Sequence, residues 1–238
     1  MLARKRGAAA IVTAMMLLFP ATAPADGGAG DDLNRVLREF DAAQRGTGTM
    51  VARFTEEKHL RLLEAPVVSR GELTFSRPNQ VRWEYDDPER KVFIVTEEMY
   101  AAYHPALRRA EEVPFRAFVG RRLLRFLGLG QSIDDLGAYY DFRLEADNDL
   151  EGTHLLVLTP RRRRLRERLV EMRLWIDGES ALPRRIGYLD ADGDSTLITL
   201  HDPRVNVAID ADRFRLALPP DVIVSNRFNG FALGGGGL

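Results

Sequence analysis

The sequence predicts a mainly β fold with a few helices: an antiparallel sheet forming a shell, with a helical segment lying over it as a lid. Three observations carry this. The apolar residues alternate with a period of two along most of the chain, as in Val81, Trp83 and Tyr85. Short strands are punctuated by turn signals, Asp177-Gly178 and Asp192-Gly193 among them. The period turns helical once in the middle of the chain, between two blocks of strands. Strands do not alternate with helices, so a parallel α/β fold is not expected.

The elements follow in order. Residues 1–25 read as a secretory signal: Arg4, Lys5 and Arg6 are the basic region, Ala8 to Phe19 the apolar run, and Ala23-Pro24-Ala25 the small-residue cleavage pattern. The run is too short to span a bilayer, which takes roughly 20 apolar residues. Residues 26–30 read as a flexible, Gly-rich leader. From Asp31 to Gln44, Leu33, Val36, Leu37, Phe40 and Ala43 fall at helical spacing; Asp31 or Asp32 is the expected N-cap, and Gly46 ends the helix. Strands are expected around Met50–Phe54, Leu73–Phe75, Val81–Tyr85, Lys91–Thr96 and Met99–Tyr103. After the middle segment come Tyr139–Ala146, Thr153–Thr159, Leu169–Asp177, Arg184–Asp190 and Thr196–His201. In Leu169–Asp177, Val170, Met172, Leu174 and Ile176 are expected on one face and Glu171, Arg173 and Trp175 on the other.

The middle segment places Phe115, Phe118, Val119, Leu123, Phe126 and Leu127 on one helical stripe, with Arg116, Arg121, Arg122 and Arg125 opposite. By periodicity alone such a stripe is plain core; its place between two strand blocks favours a lid. Ser132 with Asp135 reads as a capping box opening a short second helix that reaches Leu136. Residues 26–238 read as one domain, with 225–238 as a flexible tail.

Composition excludes several function classes. The chain has no cysteine, which removes disulfides, thiolate chemistry and the cysteine on which bacterial lipoproteins are acylated. An exported chain without anchor or membrane helix diffuses in its compartment, the periplasm in a bacterium with an outer membrane. Removing the signal takes three of the 34 basic residues and none of the 35 acidic ones, leaving a net charge of −4. That balance argues against nucleic acid as a partner. His59, His104, His154 and His201 lack metal-ligand spacing, and no Gly-x-Ser-x-Gly elbow occurs. Neither an enzyme nor a metal or other cofactor is expected.

Phe54-Thr55-Glu56, the stretch from Gly71 through Leu73 to Arg77-Pro78, and Trp83-x-Tyr85-x-x-Pro88 resemble the LolA family of periplasmic lipoprotein carriers. That family's pattern runs F-T-Q, G-x-L-x-x-x-R-P and W-x-Y-x-x-P. The resemblance continues through Tyr103-His104-Pro105, Pro114-Phe115 and the stretch from Phe214 to Pro219-Pro220 and Val222, covering Asp31 to Val224 in order. Glu56 departs from the family's glutamine, Arg227 to Leu238 is unlike the family, and Arg161–Arg168 is unusually basic.

The resemblance implies an incomplete β-barrel closed by a helical lid over an apolar cavity. It implies a carrier that takes the acyl chains of a lipoprotein from an inner-membrane donor complex to an outer-membrane acceptor, working as a monomer. Alternatives within the same fold are a carrier of another lipid, glycolipid or polyene-type, and a periplasmic sensor of lipid or protein. By position, Arg77 matches the family arginine that helps hold the lid. Trp83 and Tyr85, with Phe115, Phe118, Val119, Leu123 and Phe126, are the residues expected around the cargo; for Trp83, core packing is an equal reading. The physical need is plain: exposing about 15 methylenes at ~0.8 kcal/mol each costs roughly 12 kcal/mol.

Two features stand apart. Arg161–Arg168 joins two expected strands; it reads first as a solvated hairpin loop and second as a docking patch for anionic head groups or an acidic receptor. Asp190-Ala191-Asp192-Gly193-Asp194 resembles half of a calcium loop, but without a distal glutamate a tight hairpin explains it better.

Overall fold

The computed structural model describes residues 28–114, 132–146 and 149–227. Helix α1 (Gly28–Gly46) precedes six strands: β1 (Thr49–His59), β2 (Val67–Ser76), β3 (Gln80–Asp87), β4 (Lys91–Val95), β5 (Met99–His104) and β6 (Arg109–Pro114). The short helix α2 (Ile133–Gly137) leads into β7 (Tyr140–Glu145) and β8 (Thr153–Pro160). A single turn, α3 (Arg163–Arg166), precedes β9 (Leu169–Asp177), β10 (Pro183–Asp190), β11 (Ser195–Val205) and β12 (Ile223–Ser225).

All twelve strands belong to one sheet, ordered β12-β6-β5-β4-β3-β2-β1-β11-β10-β9-β8-β7. Consecutive strands pair antiparallel within β1–β6 and within β7–β11, and β1 pairs with β11 to join the two meanders. β12 adds in parallel beside β6. The outermost strands β7 and β12 do not pair with each other, so the sheet stays open and forms the incomplete barrel expected.

One face, called inner here, carries the main core. Phe54, Leu73, Trp83, Leu156, Met172 and Ile186, each from a different strand, share a cluster there with Val36 and Phe40 of α1. Phe40 is fully buried, and burying such side chains contributes about 1.5–3 kcal/mol each. The apolar stripe of α1 falls as its periodicity predicts, but the helix begins a turn earlier. Gly28–Gly30 are helical rather than a loose leader, and Asp31 sits in the first turn, where a carboxylate complements the helix dipole, rather than at the N-cap. Residues 1–27, with the signal assigned to 1–25, and the tail beyond 227 lie outside the described residues.

The outer face is covered in two places. After β11 the chain crosses β4 and β5, so that Phe214 packs on Val92, Ile94 and Ala101. Further round, Trp175 packs with Leu155 and Val157, and the Arg185 guanidinium lies 5.6 Å from its ring centroid. These covers explain why Val92-Phe93-Ile94-Val95 is apolar without alternation: both faces of β4 are buried.

Three further points differ from the sequence reading or add to it. Val170 does not share a face with Met172. Two β9 residues, Leu169 and Val170, stand where β10 steps directly from Leu189 to Asp190, and this bulge turns Leu169 into the core and leaves Val170 exposed. The basic run is an exposed connection between the antiparallel neighbours β8 and β9, and within it Arg163–Arg166 forms a helical turn that the sequence reading did not anticipate. Strands β6 and β12, which the alternation pattern does not predict, complete the sheet.

Candidate functional site

The inner face is the candidate site, because it is the large apolar surface the sheet presents on one side. Strand alternation puts Phe54 of β1, Trp83 and Tyr85 of β3 and Phe93 of β4 side by side on it. Their rings form one cluster: Phe54 meets Trp83 edge-on at 4.8 Å and Tyr85 at 5.0 Å, and Phe93 lies 5.5 Å from Tyr85. Trp83 and Tyr85, both expected here, are thus brought together and almost wholly buried.

Polarity enters at the end of this face near the β1–β2 and β3–β4 connections. Glu56, two residues beyond Phe54 on the same face, is 6% exposed. Its carboxylate accepts from the Tyr85 hydroxyl at 3.2 Å and lies 3.7 Å from the Lys58 ammonium. Burial, then the Glu56 charge and hydrogen bond, push the Tyr85 hydroxyl well above its ordinary pKa. Lys91 places its ammonium 4.5 Å from the centre of the Tyr85 ring. Burial and the nearby Lys58 charge pull its pKa down. Farther round the sheet, burial pushes the Tyr140 hydroxyl up to about 12.

Arg77 lies at the other end of the face, after β2. Its Nε donates to the Thr47 carbonyl at 2.9 Å and one terminal nitrogen donates to the Gln44 carbonyl at 2.5 Å. The guanidinium therefore caps carbonyls at the C-terminal end of α1, where a cation also opposes the helix dipole. α1 is also tied to the start of α2: the Asp41 carboxylate accepts from the Ile133 backbone N–H at 3.0 Å. Ser132 caps α2 as the motif predicts, its hydroxyl oxygen accepting from the Asp135 backbone N–H.

Phe115, Phe118, Val119, Leu123 and Phe126, the lid residues read from the sequence, lie outside the described residues. A surface depression lies at the β7 edge, where the start of α1 meets that strand. It measures about 490 Å³ and is lined by the apolar Leu33, Phe142 and Leu144 and by the charged Asp32, Arg143 and Glu145. Sequence reasoning placed Phe142 and Leu144 on a strand without giving them a site role. It also left Phe54, Phe93 and Glu56 out of the site. The signal for Glu56 was present: a carboxylate falls in step with Met50, Ala52 and Phe54.

In the basic run, Arg161 donates to the Gly137 carbonyl at 3.1 Å, and Arg162 lies 5.9 Å from the Tyr139 ring centroid. Arg163, Arg164 and Arg166 are exposed. Among the described residues no group of three or more His, Asp and Glu can hold a metal, and no helix is long and apolar enough to cross a membrane.

No curated protein matches the chain. Among solved structures it is similar to an uncharacterized conserved protein from Thermus thermophilus, 14% identical, with a TM-score of 0.53 over 82% of this chain and 99% of that one. It is similar to the Pseudomonas aeruginosa MucA/MucB complex at 16% identity, covering 82% of this chain and 63% of that one with a TM-score of 0.46. It is also similar to the Mycobacterium tuberculosis lipoprotein LppX at 12% identity, covering 76% and 99% with a TM-score of 0.42. The first of these supports a shared fold. The family model described as outer membrane lipoprotein carrier protein LolA matches residues 45–217, which run from the end of α1 to the segment crossing the outer face. With that match spanning well over half of its length and the open sheet beneath it, the chain belongs to the LolA family.

Proposed function

We propose that the protein is a periplasmic carrier that shelters the acyl chains of lipoproteins on the inner face of its open sheet and shuttles them from the inner to the outer membrane. One observation supports this most: a continuous apolar face carrying Phe54, Trp83 and Phe93 is covered by α1, and a surface depression lies where α1 meets the β7 edge. Export follows cleavage near Ala25. Phe115, Phe118, Val119, Leu123 and Phe126 join Trp83 and Tyr85 as the residues proposed to meet the cargo, and Arg77 steadies the end of α1.

The sheet can keep its hydrogen bonds while a helix swings, so opening exposes hydrocarbon-binding surface without unfolding the shell. Sheltering one 16-carbon chain offsets roughly 12 kcal/mol of exposure. The deciding experiment is mass spectrometry of acyl species extracted from the protein purified natively from the periplasm. Acylated lipoprotein in the extract, together with transfer of it from inner-membrane vesicles to an outer-membrane acceptor, supports the reading. Protein free of acyl species that also fails in transfer overturns it.

A further inference from the structure

The carrier reading leaves the chemical class of the acyl cargo open, and one unpaired donor on the inner face bears on it. Trp83 is 2% exposed, and its indole nitrogen is buried with no hydrogen-bond partner among the described residues. Its ring neighbours are Phe54 at 4.8 Å and Phe93 at 6.3 Å, which offer π faces rather than lone pairs. An N–H···π contact is a weak substitute for N–H···O. Buried donors in folded proteins are nearly always paired, and leaving one without an acceptor is costly. Packing accounts for a large ring at this position, but not for a ring whose N–H is left without an acceptor.

The surroundings give this donor a direction. Tyr85 stands two residues along β3 on the same face, a strand distance of about 6.8 Å. There the surface turns polar, with the Tyr85 hydroxyl on Glu56, Lys58 beside Glu56, and the Lys91 ammonium over the Tyr85 ring. In the other direction along β3 the same face continues apolar through Val81, which pairs with Val95. A donor at the boundary between hydrocarbon-like and mixed polar surface matches the place of a carbonyl in an acylated molecule. A free hydrocarbon or a polyene has no acceptor to put there.

Resting on the carrier reading, we propose that the Trp83 indole N–H donates to the carbonyl oxygen of an ester- or amide-linked acyl chain, with the polar end of the cargo directed toward Tyr85, Glu56, Lys58 and Lys91. The carbonyl reaches the indole when the inner face opens to admit the chain.

The test uses two lipids that differ by that carbonyl alone: 1-monolauroylglycerol, an ester, and 1-O-dodecylglycerol, its ether. Each displaces a fluorescent fatty-acyl probe from the mature protein. The wild type is expected to bind the ester about tenfold more tightly, as one good buried hydrogen bond would give. Trp83→Phe is expected to abolish that preference by weakening the ester while leaving the ether within about twofold. Ultraviolet resonance Raman of the Trp175→Phe protein, in which Trp83 is the sole indole, should show the N–H band shift to a hydrogen-bonded position with the ester and not with the ether. Equal affinities in the wild type, a preference that survives Trp83→Phe, or an unmoved band each overturns the proposal. If Trp83→Phe fails to fold, the Raman comparison decides. Displacement by neither lipid is a different failure, that of the carrier reading itself.

Discussion

Phe54 packs directly against Gly71 on the neighbouring strand. A Cβ at Gly71 would come within 2.8 Å of the Phe54 ring and would strike the Glu84 carbonyl oxygen across the β2–β3 ladder. The missing side chain lets Phe54 lie low enough on β2 to touch Trp83 and Tyr85 together. Gly71→Ala is therefore expected to destabilise the protein by about 1–3 kcal/mol, because one clashing atom is backbone and the other belongs to a ring held on several sides. Chemical denaturation measures this. A midpoint equal to that of the wild type would mean that β2 and β3 shift apart freely at this point.

Arg77→Leu is expected to loosen the end of α1. The substitution removes two hydrogen bonds from a cationic donor to the Thr47 and Gln44 carbonyls, each worth about 1.5–3 kcal/mol when buried and less at this half-exposed position. The Arg77 backbone N–H still donates to Gly48, so the chain path after β2 should persist. Hydrogen exchange read residue by residue should accelerate in the last turn of α1 and stay unchanged in β8 and β9. Uniform acceleration would instead place Arg77 in the global folding core.

Much of this fold was legible in the sequence because a sheet with one covered face writes a period of two. Met50, Ala52 and Phe54, or Val81, Trp83 and Tyr85, show it plainly. The pattern failed wherever a second physical demand overrode it. The Leu169–Val170 bulge shifts the phase by one residue, which no alternation rule anticipates. β6 was hidden because Glu111 is buried and Glu112 and Val113 break the alternation. β12 is three residues long and exists through pairing with β6 rather than through its own apolar face. In the site, Trp83 and Tyr85 were legible from strand period and motif. Phe93 was not, since β4 is apolar on both faces and alternation cannot assign a side. Glu56 was visible as a departure from a family pattern, but its bond to Tyr85 depends on two strands being brought together across β2.

Acid stability should depend on Glu171. It bridges Arg173 at 2.7 Å and Arg143 at 3.1 Å on the outer face. Burial alone would raise its pKa; the hydrogen bonds from Arg173 and Arg143 outweigh that and hold it below the usual glutamate value of 4.5. A carboxyl with a depressed folded pKa adds stability that is fully present above the unfolded pKa and is lost as pH falls through the folded one. Glu171→Gln should therefore be less stable than wild type at neutral pH, with the difference shrinking as pH drops from about 4.5 downward. Thermal unfolding across that range reads it, and a difference constant with pH would remove Glu171 from the acid response.

Replacing Arg163, Arg164 and Arg166 with glutamine should leave acyl binding intact and slow docking to donor and acceptor membranes at low salt. These side chains are exposed, so their attraction is screened and long-range. Arg161 and Arg162 are left in place because they contact Gly137 and Tyr139 and support the start of β7. Docking rates that match the wild type at every ionic strength would reduce the run to a solvated turn between β8 and β9.

The buried carboxylate of Glu56 separates a structural role from a charge-dependent one. Glutamine at this position can still accept from the Tyr85 hydroxyl, so Glu56→Gln loses the attraction to Lys58, whose side chain is 26% exposed, and the weaker one to Lys91. A long ion pair screened from the Lys58 side is worth about 1 kcal/mol or less. Glu56→Leu also leaves the buried Tyr85 hydroxyl without its acceptor, which costs about 1–3 kcal/mol. The expected order of unfolding midpoints is wild type close to Glu56→Gln, with Glu56→Leu clearly lower. Cargo then tells the two roles apart. If the negative charge steers the polar end of the cargo, Glu56→Gln changes acyl-probe affinity at unchanged stability. If Glu56 only supports Tyr85, affinity follows stability, and the leucine variant alone is impaired. A glutamine variant as unstable as the leucine one would show that the ion pair with Lys58, rather than the hydrogen bond from Tyr85, holds this end of the inner face together.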